Sequence, residues 1–425
     1  MATLKLTKEY QRYPKYKDSG VEWVGEIPEG WEAQKLYTQF DFRNEKVSDE
    51  DFEALSVTYG GVVPQIENAA KSNAEGSTRK RVKKGDVSIN GRSDRRGAAG
   101  LSEYNGSVSL VYHVLKPRKG EDTSRYYHYL IRSAIFGDEF YRWGRGIVDD
   151  LWTTRSNEMK RIIIPVPTKE EQQKIATYLD EKTALIDAII EKKKKQIELL
   201  REKRAAIINR AVTKGLDPNA KLVNSGIEWI GKIPEGWEVK KLNAGFSYEK
   251  GRNAGLYTQE FVKDAKRVGD YPVYSGQTAS EGVLGRINTY EYDYPEGVLF
   301  STTVGAKAMT TRVLSEKFSL SQNCVLMVPR SNADVWYFHY FLSEAFRIMK
   351  AEIPSHMQPS LRVSDLNKFQ ALFPGIEEQK RISEFLRKYD EQFDRATNVV
   401  DRSITLLQEF KSALISRVVT GKVKV

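Results

Sequence analysis

Apolar side chains between Thr168 and Lys214 fall at Ile175, Leu179, Ile186, Ile189, Ile197, Leu200, Ile207 and Ala211, close to an alternating four-then-three spacing. That spacing predicts a long helix with a coiled-coil seam. Its 47 residues, at the rise of an α-helix, make a spacer of about 70 Å. The pattern returns at Ile382, Leu386, Phe393, Val400, Leu407, Leu414 and Val418. Each predicted helix follows proline (Pro165 and Pro167; Pro374) and opens on acids, as helix starts favour. Lys182, Lys193 and Arg204 fill the seam positions that are not apolar, which weakens self-association and leaves room for a specific partner helix. Two matching seams in one chain most simply pack antiparallel; the alternative is two unrelated surface helices.

The duplication extends beyond the helices. Asp18 to Leu36 reads DSGVEWVGEIPEGWEAQKL and Asn224 to Leu242 reads NSGIEWIGKIPEGWEVKKL, with 13 identities in 19 positions. EEQQKI from Glu170 matches EEQKRI from Glu377, and Leu36 to Gln172 spans 136 positions where Leu242 to Gln379 spans 137. The chain is one unit written twice. Between these landmarks the halves hardly resemble each other, so a shared framework carries two different surfaces. In the repeated GxEWxGxIPEGW, Trp23, Trp31, Trp229 and Trp237 read as rings docked on a neighbouring domain, with base stacking as the alternative.

Both variable segments alternate short β-rich runs with turn residues, for example RVKKGDVSIN and SLVYHVL in the first and YPVYSGQ, GVLFSTTVG and CVLMVP in the second. Mixed α+β domains are expected. The intervening loops carry Arg79, Lys80, Arg81, Lys83, Lys84, Arg92, Arg95 and Arg96 in the first segment. The second has Lys250, Arg252, Arg286, Lys307 and Arg312, with Gln277 and Thr278 nearby and Gln358 in the loop SHMQPS. Cations grip phosphates, and interleaved amides and hydroxyls reach base edges; solvated loops are the competing explanation for any one residue. The run Lys192 to Lys195, beside Glu191 and Glu198, reads as a solvated helix face rather than a DNA clamp.

Charge strengthens the nucleic-acid reading: 67 Lys and Arg against 57 Asp and Glu leave a net charge of +10, which attracts polyanions. A length of 425 residues allows two to four domains. The single cysteine, Cys324, excludes an intramolecular disulfide and any multi-cysteine zinc site, and suits a reducing cytoplasm. No apolar stretch is long enough for a membrane span, and no export signal opens the chain. His113, His128, His339 and His356 have no metal-ligand spacing. The sequence contains no phosphate loop, dinucleotide-binding glycine motif, nucleophile elbow or amino-methyltransferase motif.

Taken together, GxEWxGxIPEGW opening each half, PVPTKEEQQKIATYL leading into a long helix, and LLREKRAAIINRAVTKGL closing it resemble the DNA specificity subunit of type I restriction-modification systems. YPVYSGQTASEGVLGRINTY from Tyr271 resembles a target-recognition segment of that family, and the second copy departs by reading FPGIEEQ. The resemblance implies an α+β fold with internal pseudo-twofold duplication. It implies target-recognition domains over residues 1–164 and 216–372, separated by antiparallel spacer helices over 165–215 and 373–425. Each domain would read one half of a bipartite double-stranded DNA site through loops within about 36–160 and 243–370. Two methyltransferase subunits and restriction motor-nuclease subunits would be the partners, supplying catalysis with S-adenosylmethionine, ATP and Mg; this chain would hold no cofactor and no catalytic residue. A coiled-coil scaffold for protein binding and a stand-alone nuclease are the rival functions.

Overall fold

The computed structural model describes residues 10–48, 50–65, 79–92, 97–118, 120, 123–146, 152–276, 282–305, 307–354 and 356–425. Their helices are α1 (Ser124–Arg132), α2 (Ala134–Arg142), α3 (Ser156–Met159), α4 (Lys169–Lys214), α5 (Gln259–Lys263), α6 (Val335–Ala351), α7 (Val363–Lys368) and α8 (Ile376–Val419). The chain divides into two compact units, one of Met1–Lys193 with Asp401–Val425 and one of Lys194–Val400, so both units draw on α4 and α8.

In the first unit the tryptophan repeat is structural, as expected. Trp31 is buried and its indole N–H donates to Glu171 at 2.8 Å, in the first turn of α4. Trp23 donates to the Ile163 carbonyl at 3.2 Å. One sheet has the strand order Ala99–Leu101, Val87–Asn90, Tyr112–Pro117, Phe40–Phe42; a second has Gly106–Ser109, Arg79–Val82, Lys46–Val47. Helix α1 covers the first sheet and turns Tyr126, Tyr127 and Leu130 into the core. That core continues through Ile175, Leu179, Ile186 and Ile190 of α4 to Leu414 and Val418 of α8. The beginning of α4 therefore meets the end of α8, an antiparallel pairing, and Lys411 reaches both carboxylate oxygens of Asp187 at 2.7 Å.

The second unit repeats the scheme. Trp237 donates to Glu378 at 3.1 Å, at the start of α8. One sheet is ordered Phe246–Glu249, Cys324–Pro329, Val298–Thr302, Thr311–Leu314 and packs against α6. The other is ordered Val283–Ile287, Val268–Tyr274, Lys317–Leu320, Tyr292–Asp293, with Val268–Tyr274 and Lys317–Leu320 parallel. Ile208, Ala211 and Val212 of α4 share its core with Ile382 and Leu386 of α8.

The seam of α8 is buried or half-buried at every expected position. That of α4 drifts by one residue, burying Ile190 and Ile208 where Ile189 and Ile207 were expected and leaving those two half-buried. An α-helix of 3.6 residues per turn slips against a strict seven-residue repeat, and this is the slip observed. Lys182 is exposed, and the buried side chain beside it is Thr183. Arg204 needs no additional helix: its guanidinium makes a two-pronged pair with Asp390 of α8, Nε to Oδ1 at 2.7 Å and Nη2 to Oδ2 at 2.9 Å.

One further repeat emerges only in three dimensions. Tyr126, His128 and Tyr129 of α1 have counterparts in Tyr337, His339 and Tyr340 of α6. The Tyr126 hydroxyl lies 3.0 Å from the carbonyls of Pro165 and Val419, and that of Tyr337 lies 3.2 and 3.4 Å from those of Val212 and Leu372. Tyr129 donates to Asp180 at 2.7 Å and Tyr340 to Asp390 at 2.9 Å. In both units this helix ties the sheet to the long helices.

Candidate nucleic-acid interface

The cationic positions separate into internal and exposed sets. Arg79 and Lys80 lie in strand Arg79–Val82 rather than in a loop, and both are buried. Arg79 donates to the Ser107 hydroxyl at 2.8 Å and the Ser107 carbonyl at 2.9 Å; Lys80 donates to the Tyr112 carbonyl at 2.6 Å, and burial lowers its pKa. These two are corrected from phosphate contacts to internal hydrogen-bond donors. Arg81, on the same strand, stacks 3.5 Å from the Phe52 ring centroid. Lys83 and Lys84 are exposed on the turn that follows. The turn forms because Asp86 accepts the Lys83 backbone N–H at 2.8 Å and binds Arg43 Nε at 2.8 Å, while Gly85 adopts a φ of 88° that disfavours a side chain.

Arg92 stands at the end of strand Val87–Asn90, where the chain enters Gly91. A Cβ on Gly91 would sit 2.6 Å from the Val111 carbonyl, so only glycine fits this exit. Asn90 accepts the Arg92 backbone N–H at 3.0 Å, and Arg92 forms an isolated antiparallel bridge with Thr153. Thr153 also bridges Arg145, whose side chain is exposed and which the sequence alone does not single out. Beneath this corner His113 binds the Thr154 carbonyl through Nε2 at 2.8 Å and the Ser156 hydroxyl through Nδ1 at 3.1 Å. Burial pushes its pKa down to about 4, so it is a neutral brace. Arg92 and Arg145 are thereby presented together. Arg95 and Arg96 lie outside the described residues.

In the second unit Lys250 and Arg252 meet at one aromatic residue: the Tyr292 hydroxyl donates to the Lys250 carbonyl at 2.8 Å, and the Arg252 guanidinium lies 5.0 Å from the Tyr292 ring centroid. Arg286 is on strand Val283–Ile287 rather than in a loop, and its guanidinium donates to the Asp270 carbonyl at 2.6 Å. Arg312, also on a strand, lies 5.4 Å from the Tyr274 ring. Lys307 is half-buried in the turn after strand Val298–Thr302, its carbonyl accepting from Thr310 at 2.7 Å. Gln358 is exposed beside that same turn, which Val304 and Ser360 join by an isolated antiparallel bridge. Gln277 and Thr278 lie outside the described residues.

The two units thus share a device. A strand at the centre of the sheet exits into a short turn, and a segment from just ahead of the final strand bridges back to it: Arg92 with Thr153, Val304 with Ser360. The frame is common and the side chains differ, Arg92 and Arg145 in one unit and Lys307 and Gln358 in the other. Among the described residues, no group of three or more His, Cys, Asp or Glu could hold a metal, and no helix is long and apolar enough to cross a membrane. Cys324 is buried, which raises its thiol pKa to about 12 and leaves it inert.

A family model described as the type I restriction modification DNA specificity domain matches residues 28–199 and 234–400. The type I restriction enzyme MjaIX specificity subunit of Methanocaldococcus jannaschii is 24% identical over 432 residues, covering 95% of both chains. The putative MjaX specificity subunit of the same organism is 22% identical over 440 residues, covering 95% of this chain and 96% of its own. Among solved structures, a chain from work on complex assembly and conformational transition of the type I R-M system aligns with a TM-score of 0.70 at 15% identity, over 92% of this chain and 98% of that one. The HsdS subunit from Thermoanaerobacter tengcongensis aligns with a TM-score of 0.53 at 16% identity, over 93% of this chain and 98% of its own. Both structural likenesses are of fold.

Proposed function

Since the chain belongs to the type I restriction-modification DNA specificity family, we propose that each of its units reads one half of a bipartite double-stranded DNA site, and that catalysis belongs to subunits bound to it. The observation that carries this reading is the shared turn-and-bridge device bearing Arg92 and Arg145 in one unit and Lys307 and Gln358 in the other. A duplicated frame with unlike side chains at equivalent exits suits recognition of two unlike sequences. Arginine can bind phosphate or guanine, and glutamine can pair with adenine through two hydrogen bonds. Exposed Lys83, Lys84, Lys250 and Arg252 supply further positive charge for the DNA backbone.

The long helices provide the second role. Large apolar side chains remain exposed on them: Leu185 and Leu406 in the first unit, Leu199, Phe385 and Val399 in the second. These faces suit two methyltransferase subunits, which would use S-adenosylmethionine, with ATP- and Mg-dependent motor-nuclease subunits joining that complex. Replacement of Arg92 and Arg145 by Ala tests the DNA reading. Filter binding of the full chain, with its bound subunits retained, should show weaker binding to the cognate duplex and a salt slope shallower by about one for each phosphate no longer gripped. Unchanged affinity and slope would remove both residues from the interface.

A further inference from the structure

Four segments of the second unit converge at the turn after strand Val298–Thr302, and backbone hydrogen bonds lock three of them together. Thr303 N–H donates to the Asn323 carbonyl at 2.8 Å, Leu361 N–H to the Thr303 carbonyl at 2.7 Å, and Gly305 N–H to the Pro359 carbonyl at 3.3 Å. The fourth segment arrives at Gly276, where a Cβ would stand 3.4 Å from Asn323 Cβ and 3.7 Å from the Val304 carbonyl. Asn323 holds a φ of 63°, a left-handed conformation that asparagine tolerates better than other residues with a side chain. No Asp or Glu occurs in residues 274–276, 302–308, 321–324 or 356–361. The exposed side chains there include the amides of Asn323 and Gln358 and the apolar groups of Val304 and Met357. Neither amide has a hydrogen-bond partner among the described residues.

We propose that Asn323 and Gln358 are base-reading residues for an A·T-containing half-site, with Val304 and Met357 contacting thymine methyl groups beside them. This rests on the DNA-reading function proposed above and specifies its chemistry in the second unit. An amide offers one donor and one acceptor, the complement of the adenine N7 and N6 pair in the major groove, while the thymine methyl is the apolar feature of the partner base. Turns held by backbone hydrogen bonds fix the main chain that carries these groups, so less backbone freedom is lost on binding. The unit's cations, Lys307 of this same turn among them, position the duplex through phosphates, whereas the uncharged amides discriminate bases.

The test is selection from a randomised duplex library by the full chain with its bound subunits retained, comparing wild type with Asn323→Gly and Gln358→Ala. Glycine accepts the backbone angle of position 323 and Gln358 is exposed, so both variants should keep the wild-type thermal midpoint. The expected result is loss of a preference of roughly tenfold, to near equality, at one or two A·T positions of a single half-site, with the other half intact. Selection of the wild-type motif at every position by both variants would overturn the assignment. A wild-type complex that selects no motif would overturn the DNA-reading function itself, and this assignment with it.

Discussion

Replacing Asp390 by Ala removes the meeting point of three elements. The carboxylate receives two hydrogen bonds from Arg204 of α4, at 2.7 and 2.9 Å, and one from Tyr340 of α6 at 2.9 Å. The Arg204 and Asp390 side chains are 37% and 22% exposed, so water reaches the pair and screens it in part. A charge-assisted pair of this geometry contributes ~1.5–3 kcal/mol, and screening places this one in the lower half of that range. The Tyr340 hydroxyl, left without its acceptor, adds ~1 kcal/mol. Asp390→Ala should therefore cost about 2.5–3 kcal/mol. In a double-mutant cycle with Arg204→Ala, the pairwise coupling should be about 1.5–2 kcal/mol, the pair's own contribution, because loss of the guanidinium's stacking on Phe393, 5.5 Å away, cancels between the arms. Urea unfolding followed by circular dichroism measures both quantities, and raising the salt should reduce the coupling only modestly. A coupling within ~0.3 kcal/mol of zero would refute the view that this pair fastens α4 to α8 in the second unit.

Acid should destabilise the protein through its buried histidines. Burial pushes His113 to about 4, His128 to about 3 and His339 to about 4, below the ordinary histidine value of about 6.5. The unfolded chain takes up these protons first, so their contribution is full above pH ~6.5 and is lost as pH falls toward ~4, by up to ~1.4 kcal/mol per pH unit for each histidine. Equal urea midpoints at pH 7.5 and 5 would contradict this. Deleting residues 421–425 should cost the first unit about 2–4 kcal/mol, because Val423 is buried and Lys424 N–H donates to the Gln11 carbonyl at 2.8 Å. An unchanged thermal midpoint would show that the tail is dispensable.

The duplicated ends and both seams were legible because coiled-coil spacing and the tryptophan turn are local patterns fixed by helix geometry and by glycine and proline. Position within a variable segment was less legible. Arg79, Lys80 and Arg286 look like loop cations, yet they lie in strands; the Ser107 and Tyr112 groups that satisfy Arg79 and Lys80 come from distant positions, which periodicity cannot reveal. The Tyr-His-Tyr repeat is too short a match, among unlike neighbours, to stand out until both helices are seen against the same long-helix framework. Arg145 and Asn323, proposed above as DNA contacts, carried no local signal; a bridge to Thr153 and a converging turn place them on the devices that also carry Arg92 and Gln358.

The most direct measurement exchanges residues 243–370 for the corresponding segment of another family member and then maps the DNA sequence that the full complex recognises. One half of the bipartite site should change to that of the donor while the other stays as it was. Alteration of both halves, or of neither, would contradict a chain in which each unit reads its own half.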